Sequence, residues 1–456
     1  MSPAAALCAV MAVALVLAPR PGAAQSLEEA LARAYASNPV LLAARARLRG
    51  VDEEIAQAIS GWLPTISVSS NASKRYSSTS GGSSSSNGSQ TRTPRTSSLT
   101  VEQNLFAGLE TVAQTRQAEK QIEAERARLI RTEQTVMLDA ATAYMDVVRD
   151  QAVLSLNINN EKVLRRQLEA TGDRFQVGEV TRTDVAQAES RLAGATADRI
   201  GSQGALTSSQ ASYRRQTGVA AGRLQPAAPL TGLPASEAEA VTLARANNPI
   251  VFAARFDEQA AREAVKIAKA DLYPTFDIEG ELSRADQTSG RSSRSDRAEI
   301  TATLKVPLYQ AGNVHSRVRQ TKQAAVEERR NVDAAVRAAV ESATQAWDAL
   351  QTARARIKAF AAQVRASTIA LEGVQQEAQV GSRTVLDVLN AEQELLDASV
   401  DLARVQRDEV VASFRLRAAV GTLTARNLNL RTTIYDVNAH YGATRRKFFG
   451  IGIEGE

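Results

Sequence analysis

Gln176-Val177-Gly178-Glu179-Val180-Thr181-Arg182-Thr183-Asp184-Val185 returns about 200 residues later as Gln379-Val380-Gly381-Ser382-Arg383-Thr384-Val385-Leu386-Asp387-Val388, a spacing far beyond any solenoid period. Other pairs keep step with it. Ala188-Glu189 recurs as Ala391-Glu392, Gly218 as Gly421, Asn38-Pro39 as Asn248-Pro249, and the corner Leu63-Pro64-Thr65 as Tyr273-Pro274-Thr275. The spacing changes between the Pro corners and the Leu105-Phe106/Leu308-Tyr309 pair, an interval that contains the Ser/Gly-rich stretch Ser77 to Ser89, where a surface loop alters length at little free-energy cost. The chain is therefore a domain-scale tandem duplication.

Aromatics make up 4% of the 456 residues, and Ala, Arg, Gln, Glu and Val dominate, the residues of long, closely packed helices. The 55 Lys and Arg and 50 Asp and Glu leave a net charge of +5, spread without a basic block, which speaks against a nucleic-acid surface. Ala4 to Ala18 is continuously apolar and runs through Pro19-Arg20-Pro21 into Gly22-Ala23-Ala24. Residues 1–24 are expected to be an export signal, although no Lys or Arg precedes Arg20; a buried N-terminal helix is the alternative. Cys8, the only cysteine, lies inside that apolar run and lacks the setting of a lipid-attachment site. After Ala24 no apolar run reaches 18 residues, so any membrane crossing must be a closed β-barrel.

Each copy opens on a capping box, Ser26-Leu27-Glu28-Glu29 and Ser236-Glu237-Ala238-Glu239, followed by a helix that the Asn-Pro pair bends or breaks. Beyond each Pro corner the period becomes two. Ile66, Val68, Ser70 and Ala72 alternate with Thr65, Ser67, Ser69 and Asn71. Ala298, Ile300, Ala302, Leu304 and Val306 alternate with Glu299, Thr301, Thr303 and Lys305. Strands are expected at about 64–76, 97–106, 274–283 and 297–308, each with an apolar and a polar face, as between lipid and a water-filled lumen. A hairpin half-buried on a soluble core is the competing reading. Ser77 to Arg95 and Ala285 to Arg297 read as polar loops; Arg284, Arg291, Arg294 and Arg297 mark the second, facing either water or anionic headgroups.

From Gly108 to Gln176 the pattern is helical. Leu129, Val136 and Ala143 recur at seven, as do Ile130, Met137 and Tyr144; Val332, Ala339 and Ala346 repeat the pattern in the second copy. Two adjacent seams describe a helix with neighbours on both sides, as in a closed wall of helices, though an extended coiled-coil scaffold fits the helices alone. At 178–184 and 381–387 the chain turns into shorter return helices. This gives repeat 1 over 25–220, a linker over 221–235, repeat 2 over 236–421 and a tail over 422–456.

Strand pair, long helix, Val-Gly tip and return helix, written twice, resemble the TolC family of outer-membrane efflux proteins. The most specific pieces are Leu105-Phe106-Ala107-Gly108, Leu308-Tyr309-Gln310-Ala311-Gly312 and the two tips. The tail, with Tyr435-Asp436, His440-Tyr441 and Arg445-Arg446-Lys447-Phe448, is similar to the branch serving type I protein secretion. The resemblance implies a mainly α fold with a membrane β-barrel: a homotrimer in which four strands per chain close one twelve-stranded barrel above an α-helical tunnel. It further implies a passive exit duct, with a periplasmic adaptor protein and an ABC or proton-driven inner-membrane transporter as partners.

The resemblance also assigns a gate. Arg383 is implied as a latch to Thr183 and Asp184, and Asp387 and Asn390 as lumen ring positions. Val177, Gly178, Val380 and Gly381 are implied as adaptor-docking tips. Asn390 stands where the family has a second acidic ring residue, and Ala378 where it has a latch tyrosine. The residues alone leave another role open, because Thr181/Asp184 and Thr384/Asp387 both fit a helix-capping hydroxyl and carboxylate.

The two histidines, His315 and His440, are far apart in sequence, and no nucleophile–base pair, metal-ligand spacing or phosphate-binding glycine loop is legible. Gly450-Ile451-Gly452-Ile453-Glu454-Gly455 matches G-x-G-x-x-G by chance, with no helix to follow. No enzyme and no cofactor are expected. A pore-less periplasmic adaptor and an envelope-bound hydrolase are the other function classes; the lipid-compatible strands count against the first, the missing catalytic residues against the second.

Overall fold

The computed structural model describes residues 25–79 and 88–453, so the export signal expected over 1–24, Cys8 and the end of the glycine motif lie outside the described residues. The chain divides into two compact units, each assembled from both repeats: Met1–Ala43, Ile130–Asn248 and Ala338–Ile434 form the first, and Ala44–Leu129, Pro249–Arg337 and Tyr435–Glu456 the second.

In the first repeat α1 (Leu27–Ser37) is capped by Ser26, whose hydroxyl accepts the Glu29 amide at 3.2 Å. Asn38 ends it, and Pro39 opens α2 (Pro39–Ser60), the first-turn position where a missing N–H costs nothing. After strands β1 (Thr65–Ala72), β2 (Arg75–Thr79), β3 (Gly88–Arg92) and β4 (Arg95–Ala107) comes α3 (Glu110–Gln176), then α4 (Arg182–Thr217). The second repeat repeats the order: α5 (Glu237–Asn247), α6 (Pro249–Ala270), β5 (Thr275–Asp286), β6 (Arg294–Lys305), α7 (Asn313–Gln379) and α8 (Val385–Ala419). The tail adds a short α9 (Ala439–Thr444). Helices α3 and α7 are each 67 residues, about 100 Å at 1.5 Å per residue.

The first unit is an alanine-rich helical core. Ala240, Ala244, Ala343, Ala346, Leu350, Leu416 and Val420 are buried together, and side chains this small let helix axes approach closely. Leu350→Ala there would cost about 2–5 kcal/mol. The duplicated asparagines hold equivalent joints: buried Asn38 donates to the Gln216 carbonyl at 3.1 Å, and buried Asn248 to that of Ala419 at 3.0 Å. Tyr144 is fully buried. Its hydroxyl sits 2.8 and 2.7 Å from the carbonyls of Gln25 and Gln225, and burial pushes its pKa up to about 12. It fixes the start of the first repeat and the linker, a packing role.

In the second unit four of the six strands form one antiparallel sheet of order β1-β4-β5-β6, so the central pair joins the two repeats. Gly108, at φ 59°, lets the chain leave β4 tightly: a Cβ there would lie 2.6 Å from the Ala270 carbonyl oxygen. Ile55, Ala118 and Ile122 form a core beside the helices, with Tyr441 of the tail packed on it. The tail is also held by His440, whose Nδ1 lies 3.2 Å from the buried Asp52 carboxylate, and by Arg126 over the Tyr441 ring at 5.1 Å. Burial raises the Asp52 pKa, opposed by the bond to His440.

The structure departs from the sequence reading in the loops. The strand expected over 64–76 ends at Ala72, and Arg75–Thr79 pairs with Gly88–Arg92 as a separate antiparallel ribbon that runs into the stretch read as polar loop; β5 extends to Asp286, and β6 starts earlier, at Arg294, and ends at Lys305. Thr, Tyr and Arg side chains fit a pleated strand wherever a partner strand is supplied, and low-complexity composition hides that pairing. No helix among the described residues is long and apolar enough to cross a membrane.

Candidate functional site

The sheet's register sorts its side chains. Ile66, Val101, Gly280 and Ile300 lie in one cross-strand row, and Val68, Leu99, Leu282 and Ala298 in another on the same face. That face is not a protein core: Val68 is 78% exposed and Ile300 83%. Large apolar side chains in a contiguous exposed band mark a surface for lipid or a partner. The opposite face carries Thr65, Glu102, Glu279 and Thr301 in one row and Ser67, Thr100, Glu281 and Glu299 in the next. Glu102 stands directly across from Glu279, and Glu281 from Glu299. Like charges in register destabilise a sheet unless water screens them, so this face belongs against solvent. Both outer strands, β1 and β6, have no partner on one side among the described residues, leaving two unpaired edges.

The hairpin tips are built twice to one plan. Gly178 and Gly381 sit in the left-handed region at φ 82° and 79° where α3 and α7 end. The Gly178 amide donates to the Phe175 carbonyl and that of Gly381 to Ala378. Thr181 then caps α4: Asp184 Oδ2 accepts from the Thr181 amide and hydroxyl, both at 2.8 Å, while the Asp184 amide donates to Thr181 Oγ1 at 3.3 Å. Thr384 and Asp387 repeat this at α8, at 3.0, 2.8 and 3.2 Å. The bond from the threonine amide is the main cause that holds both carboxyls below the usual aspartate range, with the hydroxyl adding to it. Both aspartates are the carboxylate partners in threonine-capped capping boxes in this chain. Val177 and Val380 stand out at the ends, 72% and 80% exposed.

Within one chain the residues named for the gate pair differently from the expectation. Arg383 Nε donates to Glu377 Oε2 at 2.8 Å inside its own hairpin, and neither Thr183 nor Asp184 is its partner. The bond to Glu377, then its charge, raises the Arg383 pKa. Asn390 Oδ1 accepts from Arg191 Nη2 at 2.9 Å, which ties α8 to α4. Leu164, Ala195 and Leu389 bury a small apolar cluster beside that bond. The first tip has its own clasp, Arg174 Nε to Glu179 Oε2 at 3.1 Å. Sequence reasoning passed over Arg191, Glu377, Arg174 and Glu179. The clasps span five or six residues across a turn, outside any helical spacing rule, and the Arg191 bond joins different helices.

Farther along the same helices a polar cleft of about 930 Å³ opens between α3, α4 and α8. Asp150, Asp198, Asp397, Asp401 and Asp408 line it with Arg149 and Arg404. Among the described residues no group of three or more His, Cys, Asp or Glu is placed to hold a metal ion.

The family model described as "Outer membrane efflux protein" matches residues 30–219 and 240–422, both repeats, and the chain belongs to that family. It is 32% identical over 444 residues to the outer membrane efflux protein BepC of Brucella suis, covering 97% of this chain and 95% of that protein. It is 26% identical to the outer membrane protein TolC of Escherichia coli, covering 89% and 84%. Among solved structures the Campylobacter jejuni CmeC outer membrane channel superposes with a TM-score of 0.79 at 14% identity, over 92% of this chain and 89% of that one, a likeness of fold. The chain is an outer-membrane efflux channel protein of the TolC type, extending into the periplasm, and not an enzyme.

Proposed function

We propose, from the premise of that family membership, that three copies of the chain close one twelve-stranded barrel and one helical tunnel, a passive exit duct. The observation that carries this is the sheet with two unpaired edges, an apolar exposed face and a carboxylate-bearing face. Four strands are too few to close a barrel, and an open edge in lipid leaves backbone groups unsatisfied at several kcal/mol each. Pairing β6 of one copy with β1 of the next removes every edge. The apolar face then meets lipid, and Glu102, Glu279, Glu281 and Glu299 face the aqueous lumen.

The duct draws substrate and energy from a periplasmic adaptor and an inner-membrane transporter, with the exposed Val177-Gly178 and Val380-Gly381 tips as the docking end. At that end Asp387 forms a ring of three with Asn390 one turn on. Arg383 serves as the latch by leaving Glu377 for Thr183 and Asp184 of a facing hairpin. A planar guanidinium is suited to that exchange, because it binds either carboxylate with the same fork. The bond from Arg191 to Asn390 is a second tie to break on opening.

The closing test is a cysteine ladder. Cys8 is the only native cysteine, and it lies in the expected export signal, so single cysteines placed along β1 and β6 report contacts cleanly. Disulfide-linked trimers from a β1/β6 pair support the barrel. Exclusively monomeric protein at every register would contradict it.

A further inference from the structure

We propose that the hairpin end of the sheet is a docking surface for phosphorylated glycolipid headgroups of the outer leaflet, made by Lys74, Arg75, Arg92, Arg95, Arg291 and Arg294. The proposal rests on the outer-membrane placement of the sheet and goes beyond its role as a channel wall.

The charge on these strands is segregated by height. From the helix end to mid-height the polar face carries Asp277, Glu102, Glu279, Glu281 and Glu299, with Lys305 the one cation at its lower edge. On the apolar face the rows run from Phe106, Phe276 and Leu304 to Val68, Leu99, Leu282 and Ala298, about 20 Å at 3.4 Å per residue. The next rows of that same lipid-compatible face change character. They hold Arg284 beside Asp296, then Arg95, Asp286 and Arg294. Charge of both signs, with arginine in excess, therefore begins where the hydrocarbon band ends, at the end away from the helices and so at the outer surface.

The first hairpin adds to this fringe without offsetting it. Between 73 and 95 the sequence carries Lys74, Arg75, Arg92 and Arg95 and no carboxylate. Arg75 and Arg92 stand opposite each other across the β2–β3 ribbon, an arrangement of like charges that is unfavourable without an anion. The two hairpins are stapled together, because Arg92 Nη1 donates to the Thr288 carbonyl at 3.1 Å and the Thr93 amide to Gln287 Oε1 at 3.1 Å. Arg92 Nε is buried without a hydrogen-bond partner. In the second hairpin the acids are already engaged: Asp296 holds Arg284 at 2.7 Å, and Asp286 lies 3.7 Å from Arg294. Among the described residues, Lys74, Arg75 and Arg291 are exposed and form no ion pair with a carboxylate, and Arg95, exposed too, stands across the ladder from an Asp286 that lies 3.7 Å from Arg294. A net-cationic fringe continuous with a lipid-facing band fits an anion held at headgroup depth. Phosphate on a lipid meets both conditions, and the guanidinium forks match its oxygens.

The test uses the full-length protein purified in detergent, offered bisphosphorylated lipid A, a zwitterionic phospholipid or inorganic phosphate, with bound lipid measured by native mass spectrometry. Wild type is expected to retain lipid A selectively, and retention should fall as salt rises from 0.05 to 0.5 M. The Lys74→Gln/Arg75→Gln/Arg95→Gln variant should bind it about a hundredfold more weakly, since each cation near an anionic surface contributes roughly a fivefold factor. Equal retention by the variant would overturn the proposal, as would equal retention of the zwitterionic lipid or complete displacement by inorganic phosphate. If the variant does not assemble, salt-independent retention by wild type overturns it instead. Channel conductance of the same preparations separates the two readings: a conducting variant without lipid leaves the duct intact, and a non-conducting wild type counts against the duct and not the lipid site.

Discussion

The two repeats fold alike at their tips and differ in how tightly the return helices end. Thr181/Asp184 and Thr384/Asp387 form the same capping box, and each tip carries an Arg–Glu clasp. At the far ends the equivalence breaks. Gly218 has only the Ser37 hydroxyl, 3.7 Å from where a Cβ would stand, whereas a Cβ on Gly421 would overlap the Asn247 carbonyl oxygen at 2.2 Å. Duplication preserved the local rules that start a helix. The close packing around each copy then diverged, because those contacts answer to neighbours and not to the repeat.

That comparison is easiest to break at the two glycines. Both are left-handed, so alanine costs about 1–2 kcal/mol at Gly218 from backbone strain alone. At Gly421 the backbone overlap adds to this, and a loss of about 3 kcal/mol or more is expected. Thermal unfolding of the purified variants compares them, and equal losses would mean that the joints are as alike as the tips.

The clasps offer the next contrast. Arg383→Ser should make cells several-fold more sensitive to antibiotics too bulky for the closed outer membrane, while Arg174→Ser, its counterpart in the first tip, should leave sensitivity unchanged. The measurement is the minimum inhibitory concentration at matched expression. Equal effects would reduce both arginines to local clasps.

Smaller effects belong to the caps. Thr181→Ala and Thr384→Ala should each loosen their helix by about 1 kcal/mol, read as faster hydrogen exchange in the first turn of α4 or α8. Both aspartates have depressed folded-state pKa values, so their stabilisation is complete above the unfolded value of about 3.9 and is lost as pH falls through the lower folded value. Exchange at the two tips should therefore accelerate in the same acid window. A ring of three Asp387 carboxylates opposes this by mutual repulsion. If the second tip loosens at distinctly higher pH than the first, the ring is the stronger influence there.

Much of this was legible beforehand. Strand alternation from Ile66 and Ala298 gave the two faces, and the Thr-x-x-Asp pattern gave both caps, since period and capping are local properties. The β4–β5 pairing was not legible, because strands from different repeats choose partners through the whole sheet. Nor was the His440–Asp52 contact, which joins the tail to α2 across nearly the whole chain. For the gate, it was the resemblance to the family that named Arg383 and Asp387. It did not disclose that Glu377 holds Arg383 within one chain.

Single-channel conductance of the purified protein in a planar bilayer, with multivalent cations added to the periplasmic side, addresses the central claim most directly. The account predicts small discrete steps that the cations block, with block weakened in Asp387→Asn and steps enlarged in Arg383→Ser. A verified trimer that never conducts, even as Arg383→Ser, would contradict it.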